Sequence, residues 1–380
     1  MPKPTPAQKA ALYNRLKRRF GLTEIGLAAA YLALLLVSGW TFDLRDLAMG
    51  FGGGPAVWVL VYFMAAAGLF ELLSLPTNVL SGYFLEKRFG LLNQTFRAWA
   101  ADWAKSQLVG FVLGLVALET LYLLFRLAGT WWWLPASLVF ALFFVLLAQL
   151  APVLILPLFF RFRKLPEGDL TRRLTDLCRR AGVEVIGVYE WGLTARTNRA
   201  NAALLGWGST RRVVLSDSLL VRFPPSEIEV VLAHELGHHH LGHMPKLIGL
   251  QIGLTVLAFV TADLIYRGLG QTLGLTGLND LAGMPLLALG FMAVSLAAWP
   301  LVNAISRYME RQADYFALDL TGLSGSFIAL MERLAVLNLA EFEPHPAVEA
   351  LFHSHPAPAK RVRAAKDFLK SRGGQDHALR

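Results

Sequence analysis

The segment His234-Glu235-Leu236-Gly237-His238 carries residues whose types and spacing suit metal chemistry. On a helix, histidines four positions apart lie one turn apart on one face, so both imidazoles can reach a single zinc ion. Glu235 lies beside them, where a carboxylate can take a proton from the attacking water and pass it to a leaving amine. The spacing predicts a zinc site with His234 and His238 as ligands and Glu235 as general base.

A catalytic zinc site takes three protein ligands and keeps one position open, so the motif requires a third ligand elsewhere. Glu310 and Asp314 lie one helical turn apart in Glu310-Arg311-Gln312-Ala313-Asp314. We expect Glu310 to bind the metal and Asp314 to hold a ligating histidine through its other ring nitrogen. The alternative for this pair is a solvated helical face. Three ligands and a base favour catalysis over a channel, transporter or scaffold with a structural metal site, which four protein ligands would close.

Three more histidines, His239, His240 and His243, follow the motif, and the sequence leaves their role open. His239 and His243 are also four positions apart, but no glutamate follows His239 directly. We expect these histidines to be polar residues at a membrane surface, with nonspecific metal binding as the alternative. Cys178 is the only cysteine and lies at the apolar spacing of a helix, which predicts a buried core residue rather than a nucleophile.

The composition predicts a multispanning membrane protein. Of 380 residues, 55% are hydrophobic and 17% are charged, and the mean hydropathy is +0.47, which is too apolar for an ordinary soluble protein. A crossing helix needs about 20 mostly apolar residues. Six stretches qualify, at residues 23–40, 56–80, 107–127, 132–158, 247–266 and 284–305.

The basic residues predict the orientation of these spans, because short cytoplasmic loops carry the excess of Lys and Arg. One group precedes the first span and another follows the second, namely Lys3, Lys9, Arg15, Lys17, Arg18 and Arg19, then Lys87, Arg88, Arg97 and Lys105. We therefore expect both termini and the active site on the cytoplasmic side of a bacterial inner membrane. Topology and anionic lipid then explain the net charge of +9 better than nucleic acid does.

The chain is predicted to have four parts. Residues 1–160 form an N-terminal membrane domain of four spans, 161–246 a cytoplasmic α+β insert with the motif helix, 247–306 two further spans, and 307–380 a cytoplasmic helical region that completes the zinc site. Ser226 and Glu229 fit a capping box at the start of the motif helix. Other predicted elements are helices at 167–181, 304–320 and 325–337, and strands at 183–191, 200–205 and 212–216.

In these motifs the chain resembles the type I CAAX prenyl proteases, integral-membrane zinc metalloproteases of the gluzincin kind, over most of residues 70–370. His234 to His238 followed by Leu241-Gly242-His243 is similar to that family's extended zinc motif, and residues 75–95, 157–159 and 212–215 also match. The resemblance implies a mainly α fold, with about six spans enclosing a chamber and a gluzincin-like α+β domain. It also implies one Zn²⁺ per chain and a peptide or protein substrate, which in eukaryotic relatives is a prenylated C-terminal tail.

The resemblance adds roles for four more residues. Asn201 and Ala202 match an edge-strand motif, which implies that they bind an extended peptide by β-augmentation. His355 and Arg361 match a C-terminal motif, which implies that His355 stabilises the oxyanion and that Arg361 supports the zinc site.

Two positions depart from the family's pattern, and both concern substrate preference. Arg199 stands where the family usually has histidine, and Ala203 where it has an aromatic residue. Nothing in the sequence shows that the cell prenylates proteins, so membrane-protein quality control stays open as a function. Site-two-type intramembrane cleavage, which would place the zinc motif within a continuous apolar span, is a further alternative. Three ionisable residues within the spans, Glu71, Glu119 and Asp263, are expected to face a water-filled interior or one another, because charge is costly in lipid.

Overall fold

The computed structural model describes residues 5–206 and 208–378. Lys3, which belongs to the basic group before the first span, and Trp207, which lies between the second and third predicted strands, fall outside these ranges. Helices dominate, and they form a membrane bundle that continues directly into a helical domain built around one small sheet.

Six helices in the described ranges are long and apolar enough to cross a membrane, as predicted. The first ends at Val37, before the predicted residue 40, because Gly39 adopts a positive φ of 80° and turns the chain. The spans are α1 (Pro6–Val37), α3 (Pro55–Arg88), α4 (Phe96–Trp131), α5 (Trp133–Phe159), α9 (His243–Leu269) and α10 (Leu281–Thr321), with the shorter α2 (Trp40–Gly50) after α1.

Two spans pass through a π-helical turn near their C-terminal ends. In α3 the segment Leu80–Leu85 follows Pro76, and in α5 the segment Ala151–Ile155 contains Pro152. Proline lacks the N–H that an α-helical bond needs, and a π turn lets the helix continue past such a defect. Both helices therefore run on as single spans.

Asp263 differs from the expectation that the ionisable residues of the spans face water or one another. It is buried and accepts hydrogen bonds from Trp132 Nε1 at 2.8 Å and Arg267 Nε at 2.7 Å. Paired donors lower the cost of a carboxylate in apolar surroundings, so Asp263 holds helices together. Glu71 and Glu119 are half-buried.

The sheet lies in the segment that follows α5 and has four strands within the described ranges. These are β1 (Phe162–Lys164), β2 (Val188–Trp191), β3 (Ala202–Leu205) and β4 (Arg212–Ser216), in the order β1-β2-β4-β3. Strands β2 and β4 are parallel and the other pairs are antiparallel. All three predicted strands are present, although β2 and β3 are shorter than predicted, and β1 was not predicted. Strand β3 lies at an edge of the sheet.

Helices pack around this sheet over a core of fully buried side chains that includes Leu174, Val213, Leu215, Leu232 and Phe327. The buried Cys178 belongs to the same core, and burial raises the pKa of its thiol to about 11, as befits an unreactive core residue. The helices are α6 (Asp169–Arg180), α7 (Asp217–Arg222), α8 (Pro225–His240), α11 (Ser324–Leu337), α12 (Pro346–Phe352) and α13 (Pro358–Ala378).

The predicted capping box at Ser226 is wrong. Helix α8 begins at Pro225, Pro224 is its N-cap, and no side chain caps its first turn. Proline at the first helical position has its φ already set for a helix, so the helix starts two residues before the start that a Ser226 N-cap predicts. Glu229 instead binds Arg173 of α6 at 2.5 Å, which fastens the motif helix to its neighbour.

Candidate metal centre

Helices α8 and α10 bring His234, His238 and Glu310 to one point. The two Nε2 atoms are 3.1 Å apart, and each lies 3.3 Å from a different oxygen of Glu310. Around a tetrahedral zinc ion with bonds of about 2.0–2.1 Å, neighbouring ligand atoms are about 3.3 Å apart. Oε2 of Glu310 is also buried and has no hydrogen-bond donor among the described residues. These three residues therefore fit a metal ion.

The close approach of α8 and α10 depends on two small residues. A Cβ atom at Gly237 would lie 3.1 Å from Cα of Ala313 and 3.2 Å from its carbonyl oxygen. Real Cβ atoms rarely come so close to backbone, so only glycine fits here without a shift of one helix. Gly237 thus lets the histidines of α8 reach the carboxylate of α10.

Asp314 and Arg361 hold His234 in place. Nδ1 of His234 lies 2.9 Å from Asp314 Oδ1, and Arg361 Nε donates to Asp314 Oδ2 at 2.7 Å. Both partners favour the carboxylate form of Asp314, because Arg361 supplies a positive charge and Nδ1–H of His234 supplies a hydrogen bond. An ionised Asp314 accepts the Nδ1 proton, which leaves the Nε2 lone pair of His234 directed at the metal position.

A neutral relay holds His238. Its Nδ1 lies 2.8 Å from Nδ1 of His243, whose Nε2 lies 3.2 Å from Oε1 of Gln312. Gln312 Nε2 in turn donates to Tyr308 OH. One proton assignment satisfies this series of hydrogen bonds and leaves the Nε2 lone pair of His238 free for a metal. In it, Nδ1–H of His238 donates to Nδ1 of His243, and Nε2–H of His243 donates to Oε1 of Gln312.

His243 was therefore wrongly predicted to be a polar surface residue, because it is 1% exposed and its ring contacts that of His238 beside the candidate metal position. The sequence offered one signal, its place in the extended motif. His239 and His240 are exposed, in agreement with prediction, and the ring of His240 lies 4.9 Å from that of Phe316.

A cavity of about 220 Å³ adjoins the metal centre and brings most of the predicted site residues together. Burial raises the pKa of Glu235 above its ordinary value, which suits a general base. The lining includes Asn201, Ala202, His234, Glu235, His355 and Arg361, and its remaining wall is largely apolar, with Leu219, Val230, Val231, Phe327, Leu330, Met331 and Leu334.

His355 lies at the mouth of the site. Its Nε2 is 3.3 Å from Glu310 Oε1, its Nδ1 is 3.0 Å from Ser354 Oγ, and its side chain is 61% exposed. An imidazole in this position can donate to an oxygen atom that reaches the metal position.

Asn201 and Ala202 lie at the start of the edge strand. Asn201 N donates to Ser216 Oγ, and Asn201 O accepts from Ser216 N, each at 2.9 Å, so this residue is fixed to β4. The Ala202 N–H is bonded to the side chain of Asn201 at 2.9 Å. Both residues line the cavity beside Glu235, and the outer edge of β3 faces away from the sheet.

Asn338 is a cavity residue that the sequence gave no reason to select. Its Oδ1 is buried and has no hydrogen-bond partner within the described ranges, and the cavity wall around it is largely apolar. A buried acceptor without a partner is costly, so this oxygen is available to a donor from a bound peptide.

Comparisons with known proteins agree with this geometry. Residues 164–369 match the model of peptidase family M48, and residues 3–161 match that of the CAAX prenyl protease N-terminal region with five membrane helices. The second region here contains four candidate spans and α2.

Individual relatives are similar over most of their length. The uncharacterized metalloprotease YhfN of Bacillus subtilis is 30% identical over 317 residues, which cover 80% of this chain and 74% of that protein. CAAX prenyl protease 1 of Saccharomyces cerevisiae is 28% identical over 334 residues, or 82% and 73% of the two chains. The crystal structure of S. mikatae Ste24p shares the fold, with a TM-score of 0.85 at 24% identity over 95% of this chain and 89% of that one.

The family model covers more than half of the chain, and the residues that form the metal centre lie within it. The predicted resemblance is confirmed. The protein belongs to peptidase family M48 and is a multi-pass membrane metalloprotease that resembles the CAAX prenyl proteases.

Proposed function

We propose that the protein is a zinc endopeptidase that cuts extended peptide or protein tails at the cytoplasmic surface of the membrane, and that prenylated C-terminal tails are among its substrates. One observation carries the proposal. A site of two histidines and one glutamate, with a partly buried carboxylate beside it, opens into a cavity that an edge strand also lines. Such a site suits hydrolysis of a peptide in extended conformation.

Each residue has one role in the proposed reaction. His234, His238 and Glu310 would hold the zinc ion, which would supply polarisation of the scissile carbonyl and activation of water. Glu235 takes the proton of the attacking water and passes it to the leaving nitrogen. His355 donates to the developing oxyanion from Nε2. Asp314 and Arg361 keep His234 oriented, and Asn201 with Ala202 aligns the substrate along β3.

The position of the motif helix favours cleavage at the membrane surface over intramembrane cleavage. Helix α8 ends at His240 and the apolar α9 begins at His243, so the two histidines precede a span instead of lying within it. Glu310 follows the apolar stretch 284–305 in the C-terminal part of α10. The excess of Lys and Arg beside alternate spans supports a cytoplasmic position for this face and for both termini. The division of the chain into a membrane part (1–160), a catalytic insert (161–246), two spans (247–306) and a closing helical region (307–380) stays part of this proposal.

The test compares a quenched farnesylated CAAX peptide with its unprenylated twin, using purified enzyme with and without 1,10-phenanthroline. We expect chelator-sensitive cleavage that favours the prenylated peptide. Glu235→Gln should keep its metal and lose roughly a thousandfold or more in kcat, because proton transfer by a positioned base contributes about 10² to 10⁴.

The outcomes separate the alternatives. Equal cleavage of both peptides would replace prenyl specificity with broader proteolysis, such as quality control. A metal-loaded enzyme that cuts neither peptide, or a fully active Glu235→Gln variant, would rule out the proposed mechanism.

A further inference from the structure

The loop that precedes the edge strand β3 is hydrogen-bonded to a loop between two membrane spans. Residues 193–199 lead into β3 and lie against residues 90–94, which follow α3. Asn93 Nδ2 donates to the carbonyl of Thr194 at 2.7 Å and to Asn198 Oδ1 at 2.9 Å. The backbone N–H of Asn93 donates to the carbonyl of residue 196 at 2.9 Å, and the backbone N–H of Asn198 donates to the carbonyl of residue 91 at 3.1 Å. The loop before β3 is thus fixed by a loop between two membrane spans.

Arg199, three residues before β3, also contacts the membrane helices, here α1 and α3. Its guanidinium donates to Glu86 Oε2 at 3.1 Å and to the hydroxyl of Tyr13 at 2.6 Å. Tyr13 in turn donates to Glu86 Oε1 at 2.7 Å, and Lys17 binds the same oxygen at 3.0 Å. The side chain of Glu86 is only 14% exposed, and Tyr13 is buried. A charge-assisted pair with a largely buried acid and a shared hydroxyl is well suited to fix a position.

Hydrogen bonds through two serines connect the backbone of Arg199 to the start of β3. Ser218 Oγ donates to the carbonyl of Arg199 at 2.7 Å and lies 3.0 Å from Ser216 Oγ, which accepts from the backbone of Asn201. Because side chains alternate along a strand, a slip of one residue at Arg199 would turn Asn201 and Ala202 to the wrong faces. The backbone at Arg199 is therefore linked through Ser218 to Ser216, the residue that also holds Asn201 beside the cavity.

We propose that Arg199 is a positioning residue, which fixes the register of Asn201 and Ala202 at the active-site cavity through its bonds to Glu86 and Tyr13 of the membrane helices. This inference rests on the proposed function, because it takes β3 as the strand that aligns the substrate. Arg199 then acts on substrate binding, and its removal raises KM rather than lowering kcat.

The first test measures peptide hydrolysis by single and double variants. We expect Arg199→Gln and Glu86→Gln each to raise KM roughly fivefold, with kcat and metal content nearly unchanged. The double variant should be no worse than either single one, because the two groups act as a unit. Arg199→Lys keeps the charge and should recover part of the loss. The matched control, Arg163→Gln, removes a 2.7 Å ion pair with Glu190 on the far side of the same sheet and should leave KM unchanged.

Hydrogen–deuterium exchange gives a second readout that does not need hydrolysis. Exchange in Ala202–Leu205 should become faster in Arg199→Gln and Glu86→Gln, while helix α8 and the Arg163→Gln control stay at wild-type rates. Unchanged exchange with unchanged KM overturns the inference, and so does an additive rise of KM in the double variant. If wild-type enzyme cuts no peptide but exchange responds as expected, the proposed function fails and the positioning of β3 by Arg199 stands.

Discussion

The two histidines proposed as metal ligands are held by partners of different charge. His234 donates its Nδ1 proton to the carboxylate of Asp314, which Arg361 also binds, whereas His238 is bonded to the imidazole of His243. A carboxylate partner makes an imidazole a stronger ligand than a neutral partner does. His243 therefore serves mainly to fix the ring orientation and proton position of His238.

Replacing His243 by alanine should weaken metal binding by about 10- to 100-fold, because His238 loses the acceptor that keeps its Nε2 lone pair directed at the metal. Competition with a chromogenic chelator measures this change. His239→Ala removes an exposed imidazole one position after His238 and should leave the affinity unchanged. If both variants lose metal equally, the histidine cluster binds metal nonspecifically and the relay has no orienting role.

Local spacing explains which site residues could be predicted. His234 and His238 are one turn apart, so the helix alone places both on one face. The role of His243 depends on Gln312, which is 69 positions away and meets it only where α8, α9 and α10 come together. A relay between distant helices has no periodic signature, so the sequence placed His243 at the surface.

The crossing of α8 and α10 is the contact between elements that forms the metal centre. Helix α10 runs without a break from the apolar Met284 to Thr321, so one rigid element joins a membrane span to Glu310 and Asp314. Gly237 faces Ala313 where the two helices meet. The metal position is therefore sensitive to any side chain added at this crossing.

Gly237→Ala should destabilise the protein by about 1–3 kcal/mol, because the added methyl group must push α8 and α10 apart. The same shift separates the histidines from Glu310, so metal affinity should fall with stability. Thermal unfolding in detergent and chelator competition measure the two effects. Gly249→Ala is the control, since a Cβ there meets nothing within 4 Å and helix propensity favours alanine. Equal stability of the two variants would show that the crossing tolerates added volume.

Element prediction failed where tertiary contacts replaced local signals. Strand β1 has only three residues, and its pairing with β2 is what makes it a strand. Glu229 had the spacing of a capping residue but binds Arg173 instead. The long apolar runs gave all six spans, because the length of hydrocarbon to be crossed leaves few alternatives.

Hydrogen bonds and an ion pair join the N-terminal helix α1 to the C-terminal region of the molecule. Arg18 of α1 binds both oxygens of Glu341, at 2.7 and 3.2 Å, and Asn14 Nδ2 donates to the carbonyl of Leu339 at 2.7 Å. Together with the Tyr13 and Arg199 contacts, these bonds place the start of α1 on the same side of the membrane as the metal centre. The basic residues of that end then orient the entire molecule.

Labelling of single added cysteines with a membrane-impermeant thiol reagent tests this orientation. Asn279→Cys lies in the exposed loop between α9 and α10, and Glu167→Cys lies in the exposed segment before α6. In intact cells we expect the reagent to label Asn279→Cys alone, and both after permeabilisation. Cys178 adds little background near neutral pH, because it is buried and its thiol pKa of about 11 leaves almost no thiolate. Labelling of Glu167→Cys in intact cells would place the metal centre outside the cytoplasm, and the prediction from the basic loops would be wrong.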